Sequence, residues 1–236
     1  MNRSSKFQTL VALAFIGFSA SSIKADQVFL ANTNIPGTGN VNASATFHQS
    51  GPNLLQITLV NNSVTSNVGQ GISGVQFQIF SGGIVFNVTG TITGQSNPLI
   101  RVADGGAVTS LGTLTTGWGL QSAGPSFNLT ALGFTGNGTN PPDELILGPL
   151  SSPNGSIAGN TPHNPFINQT GVFTLTLSQN LPANFQITNV VFLFGTGPTS
   201  VNGTPGGPGT PIPEPATILL FGSGLITSFL RRPRKL

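Results

Sequence analysis

Residues 54–60 read LLQITLV, and this stretch decides the fold class of the chain. Leu55, Ile57 and Leu59 alternate with a glutamine and a threonine. Alternation with a period of two places one face of a β-strand in a core and the other face in water. β-Branched and large apolar side chains also suit the pleated surface of a sheet. The stretch therefore predicts a half-buried β-strand.

The same alternation recurs in GVQFQIF, residues 74–80, and in VFTLTLS, residues 172–178. Weaker strand patterns occupy six further segments: residues 42–48, 84–93, 98–103, 127–134, 144–148 and 185–194. Turn-forming Gly, Asn and Pro separate them. Many short strands with frequent turns are typical of an antiparallel β-sandwich or jelly roll. We therefore expect an all-β domain over residues 26–194, with almost no helix.

The body of the chain carries very little charge. Only 6% of all residues are charged, against about 25% in typical globular proteins. Between residues 26 and 211, Arg101 stands against four acids, so the formal charge there is 1 − 4 = −3. Without a basic patch, binding to nucleic-acid phosphates is not expected. The absence of cysteine removes disulfides and thiolate chemistry,.

Strand surfaces of Thr, Asn, Gln and Ser keep a protein soluble without charge. They also leave the edges of a sheet unprotected, because charged side chains are a common way to prevent edge pairing. Two outcomes stay open from the sequence: self-association through an edge, or coverage of the edges by loops such as residues 151–170.

The N-terminus has the layout of a secretory signal. MNRSSK carries two cations, the apolar stretch Leu10–Phe18 follows, and small residues precede Ala25. This layout predicts cleavage by signal peptidase between Ala25 and Asp26, so residues 1–25 form a signal peptide with a short helix. Nine apolar residues are too few for a membrane anchor, which needs about 20.

The C-terminus combines a spacer, an apolar segment and a basic end. Residues 195–211 are rich in Gly and Pro and predict a flexible linker,. Residues 216–230 are uncharged and predict a single transmembrane helix, which at 1.5 Å per residue is about 23 Å long. The basic residues that follow are expected to stay in the cytoplasm and to stop translocation: Arg231, Arg232, Arg234 and Lys235. The body then lies outside the inner membrane.

Pro213, Glu214 and Pro215 precede this segment. Triplet, apolar segment and arginine-rich end together resemble the PEP-CTERM sorting signal of Gram-negative bacteria, over residues 212–236. The resemblance implies recognition by an exosortase, a membrane-embedded cysteine protease or transpeptidase. The protein would be anchored transiently in the inner membrane and then delivered to the cell surface or the extracellular space. Hydropathy alone would equally support a plain C-terminal anchor.

Few residues of the body could carry chemistry. His48 and His163 are the two histidines, and no spacing selects a serine nucleophile for either. Asp143 and Glu144 are adjacent, so on a strand they would point to opposite faces and would not act as an acid–base pair. A calcium site built from Asp104, Asp143 and loop carbonyls lacks a ligand-spaced acidic run. We expect no metal, no cofactor and no catalytic site.

Trp118 stands between two glycines in TTGWGL. An exposed tryptophan could stack on a sugar ring, but a core position is the better expectation, because the domain needs large apolar side chains.

The sequence thus favours an exported, non-enzymatic surface or extracellular-matrix protein. One alternative is a carbohydrate-binding module for exopolysaccharide, with Trp118 as the stacking residue. A secreted hydrolase that uses His48 or His163 is a second, weaker alternative.

Overall fold

The protein is all-β. The structure, a computed structural model, describes residues 25–123, 125–132, 144–160, 164–197 and 199–207. Its strands, in chain order, are β1 (Gln27–Ile35), β2 (Gly39–Gly51), β3 (Leu54–Asn61), β4 (Ile72–Ser81), β5 (Ile84–Val85), β6 (Gly90–Val102), β7 (Val108–Leu114), β8 (Gly119–Ala123), β9 (Ser126–Thr130), β10 (Ile146–Leu147), β11 (Phe166–Asn168), β12 (Thr170–Leu177), β13 (Gln186–Phe194), β14 (Thr199–Asn202) and β15 (Thr204–Pro205). A single 3-10 turn, Val68–Gln70, is the helical element of these ranges. The prediction of an all-β body is confirmed.

The two predicted terminal helices fall outside the described ranges. They are the signal helix within residues 1–25 and the membrane helix of residues 216–230. Within the described ranges, no helix has the length and apolarity that crossing a membrane requires.

Hydrogen bonds join the strands into one large sheet. Its order is β14-β13-β4-β10-β11-β6-β12-β3-β2-β1-β15, with β5, β7, β8 and β9 attached beside this path. The long strand β6 pairs with β12 through residues 90–96 and with β7 through residues 97–102. β6 therefore belongs to both halves of the sheet. One half contains β12, β3, β2 and β1, and the other contains β7, β11, β10, β4 and β13.

The sheet is mixed, so the expectation of a purely antiparallel arrangement is wrong at one pairing. β10 and β11 run parallel, with Ile146 opposite Ile167. Parallel neighbours need a crossover connection of about a dozen residues or more. The long segment between the two strands, residues 148–165, provides that connection.

The alternation that predicted strands also determines the core. Every second residue of β3 and of β12 is buried. Four buried phenylalanines form a continuous row across the interior: Phe29, Phe47, Phe77 and Phe127. The ring centroids of Phe47 on β2 and Phe77 on β4 are 5.0 Å apart, although these two strands do not pair. The two halves of the sheet therefore pack against each other here.

The sequence predicted neither end of the sheet order. The sequence predicts a flexible linker over residues 195–211, but within it the structure forms β14 (Thr199–Asn202) and β15 (Thr204–Pro205). β14 pairs with β13, and β15 pairs with β1. Since Gly203 alone separates β14 from β15, the chain connects the two ends of the sheet order and closes it. We call residues 199–206 the clasp.

Three hydrogen bonds hold the clasp beside its neighbours. The Gly203 N–H donates to the Val190 carbonyl at 2.8 Å, and the Gly206 N–H donates to the Val28 carbonyl at 2.8 Å. The Thr204 hydroxyl donates to the Leu30 carbonyl at 3.1 Å. Backbone groups supply most of these contacts, so the clasp needs few apolar side chains.

Substitution of Gly203 tests the clasp. A Cβ atom at Gly203 would lie 3.1 Å from side-chain carbons of both Phe192 and Val190, whereas one at Gly197 meets nothing within 4 Å. Gly203→Val is expected to lower the free energy of unfolding by about 1–3 kcal/mol through overpacking. Gly197→Val, the matched control, should change it by less than about 0.5 kcal/mol. Urea denaturation of both variants measures the difference, and equal effects would show that the clasp does not close tightly.

Candidate functional site

Asp26, near the start of the described residues, and His48 form the one histidine–acid pair within the described ranges. The Asp26 carboxylate contacts Nδ1 of His48, which lies on β2, at 2.7 Å. The two side chains are 42% and 39% exposed, so water surrounds both. In the part of the chain that the structure describes, no hydroxyl group is hydrogen-bonded to the other ring nitrogen of His48. The pair therefore lacks the nucleophile that a Ser-His-Asp arrangement needs.

Trp118 is a core residue. It is only 4% exposed, its ring centroid lies 4.8 Å from that of Phe173, and its indole N–H donates to the Glu144 carbonyl at 2.9 Å. The expected alternative of sugar stacking is wrong for this residue, because no ring face is left for a ligand.

Glu144 accepts hydrogen bonds from the Trp118 turn with both its backbone carbonyl and its side-chain carboxylate. Its carbonyl accepts the indole N–H, and its carboxylate accepts the backbone N–H of Gly117. Glu144 itself has φ = +66°, a strained conformation for a residue with a side chain. The acid that the sequence singled out thus contacts a structural turn.

The remaining candidates do not come together in the described ranges. Asp104 is exposed in the turn between β6 and β7, and no group of three or more His, Asp or Glu occurs among the described residues. Asp143, His163, the triplet Pro213–Pro215 and the basic end fall outside those ranges. The predicted cleavage point between Ala25 and Asp26 lies directly before β1 and stays a prediction.

A pocket of about 710 Å³ opens beside the clasp. It is lined by three segments: residues 25–29 at the start of β1, residues 186–191 of β13, and the clasp residues Asn202, Gly203, Pro205 and Gly206. We call it the exit pocket, because the described chain starts and ends next to it. Its lining side chains include Val28, Ile187 and Val191.

A second concavity, of about 540 Å³, lies on the outer face of β1 and β2. Six amide side chains line it, and we call it the amide groove: Asn32, Asn34, Asn40, Asn42, Asn62 and Gln70. Antiparallel pairing of the two strands sets Asn32 opposite Asn42 and Asn34 opposite Asn40. The Asn34 side chain donates to that of Asn40 at 2.8 Å. No charged residue lines the groove.

The predictions from the sequence do not include the amide groove, although the sequence contains a signal for it. The triplets NTN at 32–34 and NVN at 40–42 repeat asparagine at every second position. On strands this spacing puts all four amides on one face.

A buried amide supports the floor of the groove. Asn61 is 1% exposed, and its side-chain N–H groups donate to the carbonyls of Gln70 and Ile146 at 2.8 and 2.7 Å. Its side-chain oxygen accepts the Ser63 N–H at 3.0 Å. Gln70 in turn donates from its side chain to the Asn40 carbonyl at 2.9 Å. Neutral amides thus satisfy the backbone where the loop after β3 meets β10.

Replacement of Asn61 tests this support. Asn61→Ala leaves the carbonyls of Gln70 and Ile146 and the N–H of Ser63 without their partner, and buried unpaired groups are costly. We expect a loss of about 3 kcal/mol in the free energy of unfolding. Asn62→Ala changes the exposed neighbour and should cost less than about 0.5 kcal/mol. Thermal and urea denaturation give both values, and a neutral Asn61→Ala would disprove the supporting role.

Comparison with known proteins concerns the tail alone. Neither the curated proteins nor the solved structures gave a match to this chain. Residues 211–235 match the family model of the PEP-CTERM protein-sorting motif, which confirms the resemblance. The motif implies export, transient anchoring in the membrane and sorting to the surface by an exosortase. The tail of this chain, from residue 211 to residue 235, carries a PEP-CTERM sorting motif.

Proposed function

We propose that the chain is a non-enzymatic protein of the cell surface or extracellular matrix, delivered there by an exosortase. The observation that carries the proposal is the sorting motif at residues 211–235. It stands on a body whose described surface is largely Thr, Asn, Gln and Ser. Such a surface is hydrated without charge.

The topology of the precursor follows from its two ends. Residues 1–25 direct export and are removed by signal peptidase. Residues 216–230 hold the chain in the inner membrane as a helix, with Arg231 and Arg232 on the cytoplasmic side. The exosortase then cuts near Pro213–Pro215. The β-sandwich class for the body belongs to the same proposal and is supported by the packing of Phe47 on Phe77.

The described residues support a role without catalysis. The pair of His48 and Asp26 is half exposed and has no neighbouring nucleophile in the described ranges. Glu144 contacts the Trp118 turn. Among the described residues, the His48–Asp26 pair has neither the burial nor the third group that acid–base or nucleophilic catalysis uses,.

Intact-mass measurement of the protein from its native host tests the sorting proposal. We expect a product that begins at Asp26 and lacks the membrane segment and the basic end. Replacement of Pro213, Glu214 and Pro215 by alanine should leave the tail in place and the protein in the inner membrane. Pro208→Ala, outside the motif, is the matched control and should be processed normally. A soluble intracellular product with both ends intact would refute the proposal.

A second candidate function is binding of an uncharged polysaccharide, and the amide groove is the observation that favours it. Each primary amide offers two N–H donors and one oxygen acceptor, which matches the hydroxyl groups of a sugar chain. Five of the six groove amides are exposed. Val64 on the rim is 63% exposed and offers an apolar contact for the C–H face of a sugar ring.

Affinity electrophoresis in gels that contain the host exopolysaccharide tests this second function. Asn32→Ala/Asn34→Ala is expected to weaken binding about thirtyfold, because each of the two lost hydrogen bonds contributes about 1 kcal/mol. Thr109→Ala/Thr113→Ala on the exposed strand β7 is the control and should bind as the unchanged protein does. Equal retardation of both double variants would exclude the groove as the binding site.

A further inference from the structure

The described chain starts and ends at the same end of the domain. β15 runs antiparallel to β1, with Pro205 opposite Phe29, and the next bond joins Gly206 to Val28. Past Pro205 the chain therefore runs back along β1 toward Asp26. The segments that lead to the membrane leave the body beside one pocket.

The distance from the body to the sorting triplet is short. Six residue steps separate Gly207 from Pro213, and a fully extended chain covers at most about 3.6 Å per residue. The triplet thus lies within about 22 Å of the last described residue. A protease that cuts at the triplet while the tail is still in the membrane therefore works within about 22 Å of Gly207, which directly follows the clasp.

The exit pocket has features of a docking site. Its lining combines apolar side chains, such as Val28 and Ile187, with the amide of Gln27. The Gln27 side-chain oxygen accepts the Ile187 N–H at 2.7 Å. Its side-chain nitrogen is buried and has no hydrogen-bond partner among the described residues. A donor of this kind gains a hydrogen bond when a partner group enters.

Charge argues for a protein partner and against a lipid surface. Asp26 is the one ionisable side chain that lines the pocket. Signal cleavage before Asp26 would add one α-ammonium group, which balances that carboxylate. A pocket without net positive charge has no electrostatic attraction to anionic headgroups.

We propose that the exit pocket docks the exosortase that processes the tail. This proposal rests on the proposed function. A side chain that combines an apolar part with a hydrogen-bond acceptor, on the outward-facing surface of the membrane-embedded protease, enters the pocket, and docking holds the triplet near the cutting site. The body of the protein, in addition to its tail, then determines how fast the tail is removed.

A bulky residue at the rim of the pocket tests the proposal in the full chain. Gln186 lines the pocket and is exposed at the start of β13, so Gln186→Trp blocks entry without a change in the core. We expect pulse–chase labelling in the host to show processing slowed about fivefold or more. Thr109→Trp, exposed on β7 and outside the pocket, is the matched control and should be processed at the normal rate.

Urea denaturation of the Gln186→Trp protein checks that it is folded. If this variant unfolds, Gln186→Arg takes its place, since a long charged side chain also blocks an apolar entry. Normal processing of a folded rim variant overturns the docking proposal.

A longer spacer gives an independent measurement. Insertion of about twelve Gly and Ser residues after Gly207 lowers the effective concentration of a docked protease at the triplet. Docking predicts slower processing of the lengthened chain. Processing that stays equal or becomes faster would mean that the body only obstructs the protease, and docking would be wrong.

Two further variants at Gln186 distinguish docking to the protease from contact with the membrane, and the alanine-substituted triplet detects a failure of sorting itself. If the pocket faced lipid headgroups, Gln186→Lys would speed processing and Gln186→Glu would slow it, and that pattern would overturn docking. The alanine-substituted triplet must remain unprocessed in the same host. If it were processed, the sorting proposal would be wrong. If it stays unprocessed while the rim variants are processed at the normal rate, the sorting proposal stands and the docking proposal is wrong.

Discussion

The backbone hydrogen bonds of the clasp are the constraint on which the rest of the arrangement depends. They attach the last described residues to β13 on one side and to β1 on the other. Without them the strand order would have two separate ends, and Phe192 and Val190 would lose the chain that packs on them at Gly203. Closure also determines where the chain leaves the body, since Gly206 is held beside Val28.

A body with so little charge has to satisfy its buried polar groups by neutral means. The Asn61 side chain takes the place of backbone donors and donates hydrogen bonds to the carbonyls of Gln70 and Ile146. Asn97 does the same beside β12, where its side-chain oxygen accepts the Val172 N–H at 3.0 Å. Hydrogen bonds between neutral groups avoid the large desolvation cost of buried ions. The same scarcity of charge leaves β7 without a charged residue, although it lies at an edge of the sheet. Charged side chains commonly protect such edge strands from pairing with another chain.

The sequence predicted the strands with a regular alternation, such as β3 and β12, and missed several others, among them β1, β7 and β11. β3 and β12 alternate because every second side chain enters the core. β7 has almost every residue exposed, so no burial pattern exists to be read. The composition of the clasp predicts a linker, because the clasp pairs through backbone groups, which composition does not reveal. The amide groove depends on the register between Asn34 and Asn40, which a single strand pattern does not determine.

The clasp also has a consequence for the order of events during export. Thr199 to Gly206 complete the sheet, yet they lie only a few residues before the sorting triplet and the apolar segment. The β1 strand, translocated first, must wait for the last part of the body before its second edge is paired. Long-range pairing of this kind is slow, because loop-closure entropy is lost before any contact forms. Transient anchoring, which the sorting motif at residues 211–235 implies, gives the clasp time at the membrane to make this late pairing.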